Sequence, residues 1–513
     1  MLLEYTVKNT RRTENGYKLC FDMSWQEAFC DETNCDGVYI FARYKRAGEY
    51  GYLPAPPTFF SSGDFDRTDK LPREFSLGVS SIKTGGYAPA DKLGIFIFTA
   101  QSCRRAELCI TDAEIEVSTD GEAEDIVLFA VEMVYIPSGG HFIGDPENGI
   151  SKGGKLKNCY YSYPTGGAYL VGSEGEIRFA PEEGCLYCDY DTPNSRQEDD
   201  RFIIPESFPK GYDSMWYMKH SLTEGQYVRF LNCLTRPQQQ SHVLSDISGD
   251  RIDSYYVMTG TSHERDRAAI VCRRSGNGTE APVKFFAAAE NRSVNGISYN
   301  DVSAFACFAG LRPITELEFE KAARGPLPAV AGEFAWGTTN IGRVFHFDGV
   351  DGSGTEKPVS QTAGAICNCN FGTGIAPFDA GKRTEPENPG WEGPISAGLF
   401  QRGELVDGFS ERECTGASYY GVMELCGNVW ENLVTPMRES GRQYDGAHGS
   451  GILDENGMHT MPTWPSALTG EGVGVRGGVF VSPDPGYIHM ALRVFGAHTK
   501  PDKRFHGGLR VGF

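Results

Sequence analysis

Residues 310–325 read Gly-Leu-Arg-Pro-Ile-Thr-Glu-Leu-Glu-Phe-Glu-Lys-Ala-Ala-Arg-Gly, and this stretch decides the fold. Thr315 and Glu318 form a capping box, in which each side chain accepts a hydrogen bond from the other residue's backbone amide. The pattern predicts a helix that begins after Thr315 and ends at Gly325. One apolar stripe of this helix is expected to face the core: Phe319, Ala322 and Ala323. Arg312 and Arg324 bracket the helix and are expected to hold carboxylates or carbonyls in the core.

Two further helices are predicted upstream. Thr223 is a favourable N-cap for the first, because an apolar stripe at helical spacing follows it. The second runs over about Tyr299 to Ala309 and stops at Gly310. The rest of the chain is rich in glycine, tyrosine and proline, and this favours short strands joined by ordered loops.

The N-terminal region is predicted to be β-structure. Val38, Ile40 and Ala42 alternate on one face of a strand, with Arg43 on the other, and Leu93–Phe98 is apolar on both faces. Turn signals separate these runs, so we expect a β-sandwich of roughly seven strands over residues 1–125. The acidic stretch Asp120 to Asp125 is expected to be a linker, followed by a strand over Ile126 to Ile136.

Charge and hydropathy exclude several classes of protein. The formal net charge of -20 disfavours nucleic-acid binding and attachment to an anionic membrane. No apolar run is long enough to predict a membrane span. The first residues also lack the basic start and apolar core of a signal peptide. We therefore expect a cytoplasmic or virion-associated protein, unless processing has removed a signal.

The 15 cysteines favour reduced, mostly buried thiols. Cys185 and Cys188 form a lone CxxC, and Cys367 and Cys369 lie two apart. Neither pair has the second pair that would make a zinc site persuasive.

Six short segments, in the right order along the chain, resemble one family. Residues 310–325 and Phe334–Gly337 are similar to the signature and Trp-Gly segments of formylglycine-generating-enzyme (sulfatase-modifying-factor) domains. Gly421–Asn432 resembles the family's Gly-Asn-Val-Trp-Glu segment, and Val131–Pro137 its opening strand. Arg476-Gly-Gly478 and Gly508-Leu-Arg510 resemble the closing motifs.

The resemblance implies an α+β protein. An N-terminal β-sandwich (Ig-like, 1–125) is expected to precede a formylglycine-generating-enzyme-type, C-type-lectin-like domain over 126–513. Trp25 and the strand from Asp36 to Lys45 resemble the sandwich that precedes such domains in some bacterial proteins. A homo-oligomer formed through this N-terminal region is a further expectation.

The family's enzyme uses two copper-binding cysteines near the C-terminus. Here no cysteine follows Cys426, and Ser482 and Tyr487 cannot replace a thiolate or a soft copper ligand. We therefore expect no copper and no catalysis by this route. Iron-dependent relatives carry a histidine-bearing helical domain in front, whereas the first histidine here is His141.

Calcium is an open alternative that the resemblance suggests. The family holds one ion under its Gly-Asn-Val-Trp-Glu loop, and the matching ligands here are Glu424, Gly427, Val429 and Glu431. Oxygen donors of this kind suit calcium.

The closing segment, residues 476–513, has an unusual composition. It contains six Lys or Arg against two Asp, and it lacks Glu, Gln, Asn, Trp and Cys. Aromatic, histidine and small polar residues stand between the framework motifs, as in many binding surfaces. The predicted contact residues are Val479, Val481, Ser482, Asp484, Tyr487, His489, Val494, Phe495, His498, Phe505 and His506.

This segment resembles the variable proteins of diversity-generating retroelements, in which template adenines are scrambled. Scrambled Asn codons yield Val, Phe, Ser, Pro, Asp, His, Tyr, Gly or Ala, and most non-framework residues fit this set. Met490, Lys500 and Lys503 would be fixed positions.

Three functions remain open. The chain is a non-catalytic receptor for a protein or glycan ligand, an enzyme of this superfamily with an altered active site, or an accessory module without a diversified face.

Overall fold

The computed structural model describes residues 3–31, 34–61, 64–65, 74–76, 80–81, 86–87, 93–98, 102–147, 158–190, 199–341, 344–350, 352–361, 393–482, 485–497 and 506–513. The N-terminal strands are Leu3–Arg12 (β1), Gly16–Cys30 (β2), Cys35–Arg46 (β3), Leu53–Pro54 (β4), Pro57–Ser61 (β5), Asp64–Phe65 (β6), Glu74–Ser76 (β7), Ser80–Ser81 (β8), Gly86–Tyr87 (β9), Gly94–Phe98 (β10), Cys103–Ser118 (β11) and Ala123–Ile136 (β12).

Shorter elements follow. The remaining strands are His141–Ile143 (β13), Tyr160–Ser162 (β14), Tyr169–Val171 (β15), Ile177–Phe179 (β16), Leu186–Cys188 (β17), Phe202–Ile204 (β18), Met215–Met218 (β19), Ile270–Cys272 (β20), Phe285–Ala287 (β21), Val344–Asp348 (β22), Lys357–Gln361 (β23), Trp430–Val434 (β24), Val473–Arg476 (β25) and Gly507–Gly508 (β26). The helices are Glu224–Leu231 (α1), Arg236–Gln240 (α2), Tyr299–Ala309 (α3), Glu316–Arg324 (α4), Glu411–Thr415 (α5) and Glu439–Arg442 (α6), with 3-10 turns at Phe400–Arg402 and Pro485–Ile488.

The three predicted helices are confirmed. Thr223 and Thr315 cap α1 and α4, and each accepts a hydrogen bond from the backbone amide three residues on. Gly310 ends α3 at a φ of 71°, in the left-handed region that glycine adopts without a steric penalty. Capping residues and a terminal glycine, read from the sequence, therefore predicted the positions of these helices correctly.

The N-terminal region is β-structure, as predicted, but its described strands hydrogen-bond as one sheet. Thirteen strands, β1 to β12 together with β19, belong to it, in the central order β5-β11-β2-β3-β10. Two separate facing sheets are not delineated by these hydrogen bonds, so the sandwich stays a prediction. The overall architecture is mixed α and β and rich in strands.

The sheet is buried on both faces at its centre. Val38, Ile40 and Ala42 pack into a core formed by the N-terminal strands alone. Their neighbours Tyr39 and Phe41 point the other way, into a large core shared with α1 and α3. The predicted alternation of side chains along β3 is therefore confirmed, and each face of the strand packs against a hydrophobic core.

Arg43 lies on that second face, and it is buried. Its guanidinium lies 3.8 Å from the centre of the Phe308 ring on α3, and it donates hydrogen bonds to the carbonyls of Phe308 and Gly451 at 2.5 and 2.7 Å. Two buried carbonyls, one on α3 and one in a loop, thus receive an internal donor, which ties the N-terminal sheet to the helical region.

Strand β12 joins the N-terminal sheet to the rest of the molecule. It begins at Ala123, three residues before the predicted start, so Ala123 to Asp125 belong to the strand and not to a linker. It pairs with β3 from Ala123 to Tyr135 and with β19 from Met133 to Ile136. The boundary predicted at residue 125 therefore falls inside a continuous strand.

Aromatic rings pack where the two regions meet. Phe96 of β10 stacks on Trp216 of β19 with ring centres 4.6 Å apart. Phe513 packs against Phe96 at 5.0 Å, and its backbone exchanges hydrogen bonds with Trp216. No helix in the described ranges has the length and apolar character needed to cross a membrane.

A candidate binding face on a buried arginine frame

Helix α4 is the anchor of the closing segment. Its glutamates Glu316 and Glu320 are buried, and they receive the guanidinium of Arg476 at 2.7 and 2.6 Å. Arg493 adds a two-pronged contact to Glu316, at 3.1 Å from Nε and 3.0 Å from Nη2. Buried charges of this kind are tolerated only when they are paired and hydrogen-bonded.

The predicted roles of the two bracketing arginines are confirmed. Arg312 donates to both oxygens of Glu318, at 3.0 and 2.6 Å. Arg324 pairs with Glu333 at 2.5 Å and donates to the Gly144 carbonyl at 2.8 Å. Both arginines therefore hold carboxylates and carbonyls in the core.

The closing motifs form one small sheet. Strand β24 pairs antiparallel with β25 and parallel with β26, which sets Glu431 opposite both Arg476 and Gly508. Arg510 is buried, and it binds Glu431 at 2.9 Å and the carbonyls of Met218, Lys219 and Met423. The motifs of the closing segment are thus brought together as framework.

Two of the predicted contact residues belong to this framework. Val479 and Ser482 are each 3% exposed. Ser482 donates its backbone amide to the Val479 carbonyl, and its Oγ accepts from the Val479 amide at 3.0 Å. The two residues close a buried turn against each other, which disfavours them as ligand contacts, and their role in binding stays a prediction.

Three other predicted contact residues, Val481, Phe495 and His506, lie around the buried rings of Trp430 and Phe480. We call these five residues the Trp430 patch. Phe495 meets the Trp430 ring edge to face at 5.5 Å, and His506 lies 4.9 Å from the Phe480 ring. Val481, Phe495 and His506 are half-buried. Aromatic side chains held at this level of exposure offer contact area without further ordering cost.

Tyr487 and His489 lie in a second group, on either side of the buried Ile488. Tyr487 is 40% exposed, and the His489 ring packs edge-on against Phe334 at 4.8 Å. Val494 is half-buried. Asp484, His498 and Phe505 lie outside the described residues.

Several non-glycine residues in or near the Trp430 patch have a positive φ. Asn428 and His506 have φ values of 65° and 56°, and the neighbouring loop holds Asp266 and Arg267 at 51° and 54°. Each such residue costs about 1–3 kcal/mol, and this cost is often retained at functional sites. No sequence pattern points to Asp266, since it lies in an ordinary polar loop.

The pKa of His506 is lowered by burial, against the opposing effect of Asp266. Its imidazole is therefore neutral near pH 7 and can both donate and accept a hydrogen bond. Arg265 and Asp266 lie close enough to influence it electrostatically, so this loop borders the patch.

Comparison with known families decides the identity of the larger region. The model of the sulfatase-modifying factor enzyme 1-like domain matches residues 193–513, more than half of the chain. The chain belongs to this family. No curated protein gave a match.

Two of the implied calcium ligands, Glu424 and Glu431, already have partners within the chain, and the calcium site stays a prediction. The Glu431 carboxylate is already neutralised by Arg510, and burial raises the pKa of Glu431. Glu424 accepts from the Gly398 amide, which leaves its Oε2 3.5 Å from His220 Nδ1. Gly427 and Val429 lie in the turn that leads into β24. Among the described residues no cluster of three or more Asp, Glu, His or Cys suits a metal.

Cys426, the last cysteine of the chain, is buried, and its Sγ accepts a hydrogen bond from the Ala335 amide at 3.3 Å. In this family member it packs beneath the sheet of closing motifs and is not presented at the surface.

Proposed function

We propose that the chain is a non-catalytic ligand-binding protein and that its closing segment carries the binding face. The observation behind this proposal is the division within that segment. Arg476, Arg493 and Arg510 are buried and held by carboxylates, whereas Tyr487 and Phe495 reach the surface between them. A rigid frame with replaceable aromatic and histidine contacts suits recognition.

The cysteine content supports the same proposal. The resemblance places the enzyme's reactive pair after Arg476-Gly-Gly478, where this chain has Val479 to Ser482. Without a thiolate there, neither the nucleophile nor a soft metal site of that enzyme can form.

The finer proposal is a variable protein of a diversity-generating retroelement. Met490, which scrambled Asn codons cannot encode, is fully buried, and its carbonyl accepts from Arg476 at 2.8 Å. Val481, Tyr487, Phe495 and His506, which such codons can encode, are at least partly exposed. At these four positions change would leave the core intact, whereas the encodable Val479 and Ser482 are buried and are expected to stay constant.

Sequencing the 3′ end of the gene in many cells of the source population tests this proposal. We expect replacements at Val481, Tyr487, Phe495 and His506, and constancy at Met490 and the buried arginines. An invariant segment, with no reverse transcriptase or template repeat nearby, would refute the variable-protein proposal.

A second assay addresses catalysis directly. The purified protein, supplied with copper, is incubated with a cysteine-containing sulfatase peptide and followed by mass spectrometry. We expect the peptide cysteine to persist. Its conversion to formylglycine would overturn the non-catalytic proposal and favour an enzyme with an altered site.

A further inference from the structure

A cavity of about 650 Å³ lies between the N-terminal sheet and the family domain, away from the closing segment. One wall comes from the ends of β2 and β3, and the opposite wall from residues 411–423. We call it the hairpin cleft. Its volume falls within the roughly 300–1,000 Å³ of pockets that hold small organic ligands.

Three side chains in this cleft carry oxygen acceptors that nothing in the described part of the chain satisfies: Asn34 Oδ1, Asp36 Oδ1 and Gln401 Oε1. Asn34 and Asp36 are 5% and 1% exposed. Buried acceptors are nearly always hydrogen-bonded in folded proteins, so three in one cavity require an explanation.

The other polar atom of each side chain is already fixed. Asn34 donates its amide nitrogen to the Tyr420 carbonyl at 2.9 Å, and Gln401 donates to the Glu27 carbonyl at 3.1 Å. Asp36 Oδ2 accepts from Lys219 at 2.6 Å and from the Phe29 amide at 3.0 Å. Because these contacts fix which atom is nitrogen, the free atom of both amides is the acceptor oxygen.

The cations of the cleft are paired with this chain's own carboxylates. Arg105 lies 2.7 Å from Glu27, and Arg104 pairs with Glu411. Lys219 is held between Asp36 and Glu132, at 2.6 and 2.8 Å. Among the fully buried side-chain atoms of the described lining residues, three acceptor oxygens lack a partner, against one donor, Arg412 Nε. The cleft therefore favours a ligand that donates hydrogen bonds.

The remaining wall is aromatic. Tyr419 is 39% exposed, its ring meets that of Tyr420 edge to face at 4.9 Å, and the Arg412 guanidinium lies 5.6 Å from its centre. An aromatic face attracts both flat apolar groups and cationic heads.

We propose that the hairpin cleft binds a small amphipathic amine, whose ammonium or guanidinium head donates to Asn34, Asp36 and Gln401 and whose apolar body lies against Tyr419. This site is separate from the binding face of the closing segment, and it does not depend on that proposal. The amine is a free metabolite or the side chain of a peptide, and both present the same N–H donors.

Calorimetric titration of the full chain with matched probes tests the site. Tyramine and 3-(4-hydroxyphenyl)propionate share a ring and a two-carbon arm but carry opposite charges. We expect saturable binding of tyramine and none of the carboxylate. A blocked tripeptide containing lysine tests the peptide source, and tighter binding of this probe than of tyramine would assign the site to peptides.

Two variants locate the binding. Gln401→Met removes one acceptor while keeping the side-chain length, and Tyr419→Ala removes the exposed ring. Each should weaken tyramine by about tenfold, as expected for a lost charge-assisted hydrogen bond or aromatic contact. Gln443→Met, at an exposed position, is the matched control and should bind as the wild type does.

Failure has distinct forms. If neither amine probe binds, or if the carboxylate binds as well as tyramine, the proposal is wrong. It is also wrong if tyramine binds both cleft variants as tightly as it binds the wild type. The melting temperatures of the variants distinguish a lost contact from a lost fold. Tyr419 is a surface ring, so Tyr419→Ala should keep the melting temperature of the wild type.

Discussion

Glu316 provides the sharpest test of the buried frame. Its carboxylate receives Arg476 at 2.7 Å, Arg493 at 3.0 and 3.1 Å, and the Tyr160 hydroxyl at 2.7 Å. The change Glu316→Gln keeps the shape of the side chain and removes its charge. Removing one partner from a buried ion pair costs about 3–5 kcal/mol, because the remaining charge stays buried.

This free energy converts to a measurable melting shift. An unfolding entropy of about 2.1 cal/mol/K per residue gives roughly 1 kcal/mol/K for the 513-residue chain. The variant should therefore melt about 3–5 °C lower in scanning calorimetry at a fixed scan rate.

The control is the same change at the surface. Glu124 pairs with Lys45 at 3.2 Å, and its side chain is half-exposed. Exposed pairs contribute about 0–1 kcal/mol, so Glu124→Gln should shift the melting temperature by no more than about 1 °C. Equal shifts in the two variants would contradict the view that α4 anchors the closing segment.

Further predictions concern single positions. Gly478→Ala should destabilise the protein strongly, because φ is 77° and the new Cβ would lie 2.4 Å from Ile488. Tyr487→Ala should leave the melting temperature unchanged. The opposite ranking of the two melting temperatures would contradict the division between buried frame and exposed surface. Burial raises the pKa of Glu224 from 4.5 to about 8, so its neutral form favours folding at low pH, and this contribution is lost as pH rises from about 4.5 to 8. Glu224→Gln should therefore melt higher than the wild type at pH 8 but not at pH 4.5, and parallel melting curves would exclude this effect. Finally, excess EDTA should not change the melting temperature, since Arg510 already occupies Glu431; a drop reversed by calcium would restore the metal site.

The sequence predicted the elements that depend on local signals. Thr315, Glu318 and Gly325 lie within one short segment, so capping chemistry alone defines α4. The closing motifs were recognised because their glycines and arginines have fixed spacing. Arg312 and Arg324 could be assigned to the core because both flank a helix whose apolar face was evident.

Other features depend on contacts between distant segments. Strand alternation placed Arg43 on a face of β3, but it could not reveal that α3 covers that face. Val479 and Ser482 were predicted as contact residues because they stand between the framework motifs of the closing segment, and only the turn between them shows that they are buried. The hairpin cleft joins Asn34 to Gln401, and no sequence pattern connects these residues.

Strand β12 also limits how the molecule can be divided. A fragment that begins at residue 193 would retain β19 but lose the strand beside it, which leaves Met215–Met218 with an open, apolar edge. Open edges of this kind recruit strands from other chains. Residues 3–136 should therefore stay with their own family domain when segments are exchanged between relatives. Recombination inside β12 would leave an unpaired strand edge on each of the two parts.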